Sequence, residues 1–245
     1  SQFGDGGVAY VCAKNSMRKV IFVSNYNSIL TDNSRRSFQA AALRWRAEYV
    51  ECTMENHPIR LASNTVKIEV FRVTSADYVL ILDADTVINE SAPSPFETLP
   101  MDCFNVVHVS PRIDPCGSIR ECARNEWHRL CALPGVEPLP YGNWEYFNSG
   151  VIICSREHHE RVENLAWDLC QIPNDLGWCD QTPQNYAARK CGVKMNYMNE
   201  QWNFLAPQTL GNDWMNLFKF PDVYIAHGAG DPSRIYWLKD IRWQR

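Results

Sequence analysis

The sequence predicts an α/β fold in one domain, with strands and helices alternating along the chain. Short apolar runs of strand length, such as Val20–Ser24 and Tyr78–Leu82, are separated by longer segments whose apolar residues recur at helical spacing. The 245 residues contain no internal repeat, low-complexity tract or linker, and a hydrophobic content of 45% is ample for one buried core.

Charge and hydropathy narrow the classes of partner. The net charge is −4 and the Lys and Arg residues are scattered, so we expect no nucleic acid partner. No apolar run approaches the ~20 residues that a membrane helix requires, so no membrane segment is expected in this chain. Ser1–Gly7 do not form a signal peptide. The sequence leaves the localisation open: a cytoplasmic location is favoured, and the secretory-pathway lumen is the alternative if an upstream segment was removed.

The ten Cys residues are spread along the whole chain and form no Cys-x-x-Cys pair. Several, such as Cys154 and Cys170, lie inside apolar segments. This pattern argues against a structural zinc site and favours buried free thiols, and it leaves a few disulfides open.

The first strand is predicted at Val20–Ser24, where an apolar run breaks into the polar Asn25–Asn27, as a parallel strand does when it delivers a ligand-binding loop. From Ser34 to Tyr49 apolar residues recur at helical spacing, after cap candidates at Thr31–Asn33. A short strand at Tyr49–Cys52 is expected to follow. The segment 63–75 fits both a strand and a helix, and its initial Ser favours the helix.

Two carboxylates end the apolar strand that begins at Tyr78. Side chains alternate between faces in an extended chain, so Asp83 and Asp85 are expected to project to the same side, separated by the small Ala84. Two anions held this close repel each other unless a divalent cation or a cationic ligand neutralises them. We therefore expect a hard cation bound to substrate phosphates here. A strand that ends in a solvated turn is the alternative.

After a proline-rich irregular segment at 93–100, the sequence predicts a strand at Asn105–Ser110 and a helix at Ser118–Cys131. Strand residues then flank the small polar step Asn148-Ser149-Gly150. Such a step indicates that the backbone and Asn148 approach a ligand closely.

Two helices and a strand complete the prediction. The first helix is capped by Ser155, and its apolar face holds Val162, Leu165, Ala166 and Leu169. Its charged residues, expected to face water, are Arg156, Glu157, Glu160, Arg161 and Glu163. A second helix begins at about Asp180 and ends near Gly192, which is placed as a C-cap. The strand Val223–Ala226 runs into His227.

Several motifs stand in order along the chain. They are Asp83-Ala84-Asp85-Thr86 with Lys67 upstream, Phe147-Asn148-Ser149-Gly150, Asp180-Gln181 followed by Asn185, and His227 followed by Gly230. Together they resemble the Asp-x-Asp, Phe-Asn-Ser/Ala-Gly, Asp-Gln-x-x-x-Asn and His-x-x-Gly elements of the retaining family-8 glycosyltransferases, the group that includes glycogenin and bacterial lipopolysaccharide galactosyltransferases.

The resemblance implies a glycosyltransferase-A fold, which is a Rossmann-like, mixed and mostly parallel sheet flanked by helices. It implies one catalytic domain, with a nucleotide-binding half at about residues 1–110 and an acceptor-binding, metal-completing half at about residues 111–245. The implied reaction moves a sugar from a nucleotide-diphosphate donor, expected to be a UDP-sugar, to a saccharide or other hydroxyl acceptor with retention of configuration.

The resemblance also assigns residues. It makes Asp83, Asp85 and His227 the ligands of Mn²⁺ or Mg²⁺, an oxygen-and-imidazole set suited to Mn²⁺. It places Asn25 and Tyr26 near the base of the nucleotide. The residues that it places near the ribose, phosphates or sugar of the donor are Lys67 and Asn148, and Gly230 and Arg234 are further candidates for contact with the donor.

The candidate catalytic residues, Gln181 and Asp180, border the anomeric carbon by the same resemblance. An amide is a weak nucleophile, so Gln181 is expected to stabilise an oxocarbenium-like state. Asp180 is expected to act as nucleophile or to hydrogen-bond the sugar, and the alternative is that it merely caps a helix.

One position departs from the family. The family has a Lys six residues after the His, where this chain has Ser233, so the phosphate contact passes to Arg234 or Lys239 or is lost. This departure favours a second interpretation, a non-catalytic nucleotide-sugar-binding module. A third is a haloacid-dehalogenase-like phosphatase, which also has Asp-x-Asp after an apolar strand, but there a Gly normally precedes the Thr and the motif lies near the N-terminus.

Overall fold

A computed structural model describes residues 17–25, 30–53, 55, 63–109, 117–142, 146–172, 180–205 and 222–228. The strands are β1 (Lys19–Ser24), β2 (Glu48–Cys52), β3 (Tyr78–Asp83), β4 (Thr86–Ile88), β5 (Phe104–His108), β6 (Phe147–Ser155), β7 (Met195–Tyr197), β8 (Phe204–Leu205) and β9 (Ile225–His227). The α-helices are α1 (Asp32–Trp45), α2 (Val70–Val73), α3 (Pro95–Thr98), α4 (Ser118–Cys131), α5 (Arg156–Gln171) and α6 (Gln181–Lys190). Short 3₁₀ turns lie at Ser63–Lys67 and Glu200–Trp202.

The central sheet has the strand order β2-β1-β3-β6-β5-β7. β2, β1 and β3 pair in parallel, β6 runs antiparallel to both of its neighbours, and β7 is parallel to β5. The predicted α/β class, with a mixed, mostly parallel sheet between helices, is confirmed. Because β3 and β6 run in opposite directions with Leu82 opposite Val151, the end of β3 lies beside the start of β6. Asp83 and the Asn148-Ser149-Gly150 step therefore share one edge of the sheet.

Alternating side chains divide the core into two layers. Leu80, Leu82 and Ile153 pack under α1, whereas Val79 and Ile81 pack under α5 and α6 on the opposite face. All five side chains are fully buried. Each such aliphatic side chain contributes about 1.5–3 kcal/mol through burial, so the continuous apolar runs of these strands fix the sheet between its helices.

A second sheet, with the order β4-β9-β8, was not predicted from the sequence. β3 ends at Asp83, where the predicted apolar strand ends. Ala84 and Asp85 form a turn rather than the extended chain assumed for the two carboxylates, and the chain then enters β4. β9 pairs antiparallel with β4, with Thr86 opposite His227. This pairing brings His227 back to the Asp83–Asp85 turn.

Two helix boundaries follow from local signals. The hydroxyl of Thr31 accepts a hydrogen bond from the backbone N–H of Ser34 at 3.1 Å and caps α1. Arg46, at φ 53°, ends α1, so Tyr49 lies on β2 rather than on the helix.

Two further helix predictions agree with the structure. α4 begins and ends at the predicted residues. The helix prediction for 63–75 is confirmed, although the segment forms a 3₁₀ turn followed by the short α2.

The prediction that Glu163 faces water is wrong. Its side chain is 3% exposed, and its Oε1 lies 3.0 Å from Nε of Arg72. A single amphipathic stripe was assumed for α5, but α5 also packs against α2, and this contact buries a second strip that includes His159 and Glu163. Ser155 stands at the N-cap position as predicted, but its hydroxyl bonds to Nδ1 of His158 rather than to a backbone N–H.

Of the cysteines that the structure describes, Cys103, Cys122, Cys131, Cys154 and Cys191 are free thiols, as predicted. The prediction that such thiols are buried holds for Cys103 and Cys154, whereas Cys122 is exposed. Among the described helices, none combines the length and the hydropathy needed to cross a bilayer.

Candidate active site

Three candidate metal ligands converge where the two sheets meet. Nε2 of His227 lies 3.5 Å from Oδ2 of Asp83 and 3.3 Å from Oδ1 of Asp85. One ligand atom from each of the three residues lies within 4.8 Å of the others. Ligand atoms ~2.1 Å from a shared ion lie roughly 3–4.2 Å apart, and the two distances from His227 fall in that range. These residues therefore fit a divalent cation.

The electrostatics of the pair formed by Asp85 and His227 are reciprocal. Burial by itself raises the pKa of Asp85, but the facing imidazolium outweighs burial and holds this pKa below its usual value. Burial by itself lowers the pKa of His227, but Asp85 and then Asp83 outweigh burial and raise this pKa. A positive charge is thus favoured among these oxygens, whether it is carried by a proton on Nε2 or by a divalent ion.

Gly150 supplies the space that His227 occupies. A Cβ at position 150 would lie 2.0 Å from Cε1 and 2.6 Å from Nδ1 of His227. The sequence indicated that the backbone approaches a ligand closely at this step. In the structure it is the ring of His227 that lies against the backbone of β6.

Lys67 joins two carboxylates. Its Nζ lies 2.6 Å from Oδ1 of Asp83 and 2.9 Å from Oδ2 of Asp180, and its side chain is 2% exposed. Burial disfavours the ammonium, but Asp180 and Asp83 outweigh burial and raise the pKa of Lys67, so the side chain is charged. Lys67 therefore ties a candidate metal ligand to a candidate catalytic residue.

Asp180 stands at the N-cap position of α6 but makes no capping hydrogen bond through its side chain. Besides the contact with Lys67, its Oδ2 accepts hydrogen bonds from Oγ of Ser149 at 2.9 Å and from Nε2 of Gln184 at 3.2 Å. The carboxylate is buried and faces the strand step of β6. The interpretation of Asp180 as a simple helix cap is therefore not supported.

Amide side chains link α6, β6 and β9. Oε1 of Gln181 accepts hydrogen bonds from the backbone N–H of Ser149 at 3.0 Å and from Nδ2 of Asn148 at 3.1 Å. Oδ1 of Asn148 accepts from Nδ2 of Asn203 at 2.9 Å, and Oδ1 of Asn203 accepts from Nδ1 of His227 at 2.9 Å. The chain of amides runs from the candidate catalytic Gln181 to the candidate metal ligand His227.

Asn203 was missed in the sequence analysis. It lies directly before β8, inside an aromatic-rich segment with poor periodicity, and its side chain is fully buried. The signal that could have identified it is a lone amide beside the apolar pair Phe204-Leu205. Such a residue is also typical of ordinary turns, so the signal is weak.

Asn185, the last residue of the Asp-Gln-x-x-x-Asn element, clamps α6 to β6. Its Oδ1 accepts from the backbone N–H of Phe147 at 2.8 Å, and its Nδ2 donates to the carbonyl of Phe147 at 2.9 Å. These two hydrogen bonds fix the position of α6 along the direction of β6. The contact between Gln181 and Ser149 depends on that position.

Asn25 follows β1, and Ser24 pairs with Asp83, so Asn25 lies at the same edge of the sheet. Its Nδ2 donates to Oε1 of Glu51 at 2.7 Å, and its Oδ1 accepts from the backbone N–H of Leu30 at 3.2 Å. Three other residues predicted to contact the nucleotide-sugar donor lie outside the described residues, namely Tyr26, Gly230 and Arg234. Ser233 and Lys239 also lie outside them.

The chain is similar to known proteins in structure. No protein-family model matches it, and no curated protein matches its sequence. A glycosyltransferase involved in the glycosylation of the major capsid of PBCV-1 superposes with a TM-score of 0.57 at 12% identity, over 92% of this chain and 100% of that protein. The bifunctional glycosyltransferase WbbM superposes with a TM-score of 0.57 at 13% identity, over 88% of this chain and 46% of WbbM.

The galactosyltransferase LgtC, solved with donor and acceptor sugar analogues, superposes with a TM-score of 0.48 at 14% identity, over 90% of this chain and 94% of LgtC. The fold assignment rests on the first two proteins. The chain spans the whole length of the first and about half the length of WbbM. This protein therefore has the glycosyltransferase-A fold that its motifs implied.

Proposed function

We propose that the protein is a metal-dependent glycosyltransferase that moves a sugar from a UDP-sugar to a saccharide or other hydroxyl acceptor with retention of configuration. The observation that carries the proposal is the convergence of Asp83, Asp85 and His227 on the sheet edge that also holds Asp180 and Gln181. The glycosyltransferase fold supports the same conclusion.

Asp83, Asp85 and His227 would hold Mn²⁺ or Mg²⁺. When bound, such an ion supplies charge stabilisation for the diphosphate as it leaves the sugar. Lys67 contributes from the protein side. Its contacts with Asp83 and Asp180 keep two neighbouring carboxylates from repelling each other and hold both in fixed positions.

The contacts of Asp180 favour one of its two predicted roles. Three donors, from Lys67, Ser149 and Gln184, converge on Oδ2. Hydrogen bonding to the charged form stabilises the carboxylate and makes it a poorer nucleophile. We therefore assign Asp180 to hydrogen bonding with the donor sugar rather than to covalent attack.

The contacts of Gln181 favour electrostatic stabilisation. Two donors already bind its Oε1, so this oxygen is held in place rather than free to attack carbon. A fixed amide dipole beside the anomeric carbon would stabilise the oxocarbenium-like state. Retention then follows if the acceptor hydroxyl attacks from the face that the diphosphate leaves.

The experiment is a screen for nucleotide release. The full chain is incubated with a panel of nucleotide sugars, with and without simple sugar acceptors, in Mn²⁺, in Mg²⁺ and in excess chelator. We expect Mn²⁺-dependent release of UDP from at least one UDP-sugar and loss of this release in Asp85→Asn. NMR of the first-formed product gives its anomeric configuration and tests retention.

The control variant is Lys194→Ala, which removes an exposed ion pair with Asp102 and should leave release unchanged. Metal-dependent binding of a nucleotide sugar without any release would favour the non-catalytic binding module. Phosphate release from a phosphomonoester, with no release of nucleotide, would favour the phosphatase. Donor binding that is unchanged by chelator and by Asp85→Asn would contradict the metal assignment.

A further inference from the structure

The ring of His227 is held on two sides. Its Nε2 faces Asp83 and Asp85, and its Nδ1 lies 2.9 Å from Oδ1 of Asn203. A neutral imidazole binds a cation through the nitrogen that carries no proton, and the hydrogen bond of the other nitrogen decides which nitrogen that is. The orientation of the Asn203 amide therefore bears directly on whether His227 can be a ligand.

Backbone groups fix the orientation of the first amides. The N–H of Gly150 can only donate, so the Asn148 atom 2.9 Å away must be Oδ1. The N–H of Ser149 can only donate, so the Gln181 atom 3.0 Å away must be Oε1. The remaining Asn148 nitrogen then donates to that same Gln181 oxygen at 3.1 Å. Two independent backbone donors thus give one consistent orientation of Asn148.

Asn203 transmits this orientation to His227. Since Oδ1 of Asn148 is an acceptor, the Asn203 atom 2.9 Å from it must be Nδ2. Oδ1 of Asn203 therefore faces Nδ1 of His227, and Nδ1 must carry a proton to make this bond. A neutral His227 then keeps the lone pair of Nε2 toward Asp83 and Asp85.

The environment leaves little room for another arrangement. Asn203 is fully buried and His227 is 1% exposed, so bulk water cannot take over the hydrogen bond to Nδ1. A buried donor left without an acceptor costs about 1–3 kcal/mol. The backbone of Gly150 also closes the ring edge that carries Nδ1 and Cε1.

We propose that Asn203 is a positioning residue that holds His227 in the Nδ1–H tautomer and so prepares Nε2 to ligate a divalent cation. The inference rests on the metal site of the proposed function and adds to it a residue outside all of the recognised motifs. Asn203 acts through His227, and its orientation is set by the backbone of β6 through Asn148.

The test compares two substitutions by the Mn²⁺ affinity of the chain without donor, measured by calorimetry. Asn203→Leu is similar in size but offers Nδ1 no acceptor, and it should bind Mn²⁺ roughly 10–100-fold more weakly. Asn203→Asp keeps an acceptor for Nδ1–H but removes the donor to Oδ1 of Asn148, so it should recover part of this loss. The matched control is Asn196→Leu, which removes a different amide pair, Asn196 with Asn105, and should leave the affinity unchanged.

A spectroscopic readout separates positioning from simple structural support. In the Cd²⁺-loaded protein with ¹⁵N-labelled His, long-range ¹H–¹⁵N correlations identify the nitrogen of His227 that carries the proton. We expect Nδ1–H with Nε2 on the cation in the native chain and in Asn203→Asp, and loss of this signature in Asn203→Leu. If the Leu variant does not fold, Asn203→Ala serves for the same comparison.

The outcomes distinguish the two proposals. If Asn203→Leu or Asn203→Ala binds Mn²⁺ as tightly as the native chain and keeps Nε2 on the cation, the role of Asn203 is overturned while the metal site stands. If the native chain does not bind Mn²⁺, or if Asp85→Asn leaves the Mn²⁺ affinity unchanged, the proposed metal site is wrong. The inference about Asn203 then fails with it.

Discussion

The ring of His227 lies directly on the backbone of Gly150, where a Cβ would fall 2.0 Å from Cε1. We predict that Gly150→Ala displaces His227 and lowers Mn²⁺ affinity at least about tenfold in calorimetry. Overpacking of this kind should also cost about 1–3 kcal/mol of unfolding free energy. In a His227→Ala background the same substitution should cost less, because the clash with the ring is gone and the 2.9 Å approach to Oδ1 of Asn148 remains. Equal costs in both backgrounds would mean that the ring is not what excludes the side chain.

Lys67→Met should be strongly destabilising. It leaves Asp83 and Asp180 facing each other without the buried ammonium, and removal of one partner from a buried pair costs about 3–5 kcal/mol. Urea unfolding measures the change. Lys194→Met is the matched control, because Lys194 and Asp102 are both exposed, and we expect it to have no measurable effect. If Asp180→Asn is added, part of the stability lost in Lys67→Met should return.

Glu163 and Glu157 lie on the same helix and should respond differently to Ala. Glu163 is buried against Arg72, so Glu163→Ala should lower the unfolding free energy by about 1–3 kcal/mol. Glu157 is exposed, and Glu157→Ala should change it by no more than about 0.5 kcal/mol. If both substitutions change the unfolding free energy by similarly small amounts, the original prediction that Glu163 is exposed to water would be supported instead.

Stability at acid pH should depend on Glu51. Hydrogen bonds from Arg35 outweigh burial and, with those from Asn25 and Tyr49, lower the pKa of Glu51 to about 2 from 4.5. A lowered folded-state pKa gives stability that is present above pH ~4.5 and lost as the pH falls toward ~2. Relative to Glu51→Gln, the native chain should be more stable by about 1 kcal/mol at pH 6, after allowance for solvent screening, and by less at pH 3.

That prediction is checked by urea unfolding of both proteins at several pH values. A difference between them that does not shrink between pH 6 and pH 3 would show that Glu51 stabilises the fold through packing rather than charge. Because Glu51 also holds Asn25 beside Asp83, the Gln variant should be assayed for donor binding at neutral pH as well.

Local signals predicted much of the fold. The apolar runs located β1, β3 and β6, and the periodicity of Ser118–Cys131 gave both ends of α4. Gly192, predicted as a C-cap, adopts φ 58°. These features depend on residues close in sequence, where strand alternation, helix period and glycine conformation act directly.

The features that were missed depend on distant parts of the chain. A strand was predicted at β9, but β4 is too short to show a periodicity and the pairing of the two joins Thr86 to His227, so the second sheet could not be inferred locally. The burial of Glu163 depends on α2, and that of Asn203 on contacts with β6 and β9. The metal-ligand set was named by family resemblance, but its geometry rests on these long-range pairings.

The position of His227 on β9 has a consequence for how the site forms during synthesis. The carboxylates of Asp83 and Asp85 leave the ribosome long before the histidine that completes their set, and closing so long a loop is entropically costly. Lys67 is synthesised before either carboxylate and is already present to pair with Asp83. We expect the central sheet to fold first, with the ion pair between Lys67 and Asp83 inside it. The protein should become able to bind metal only late in folding, once β9 has paired with β4.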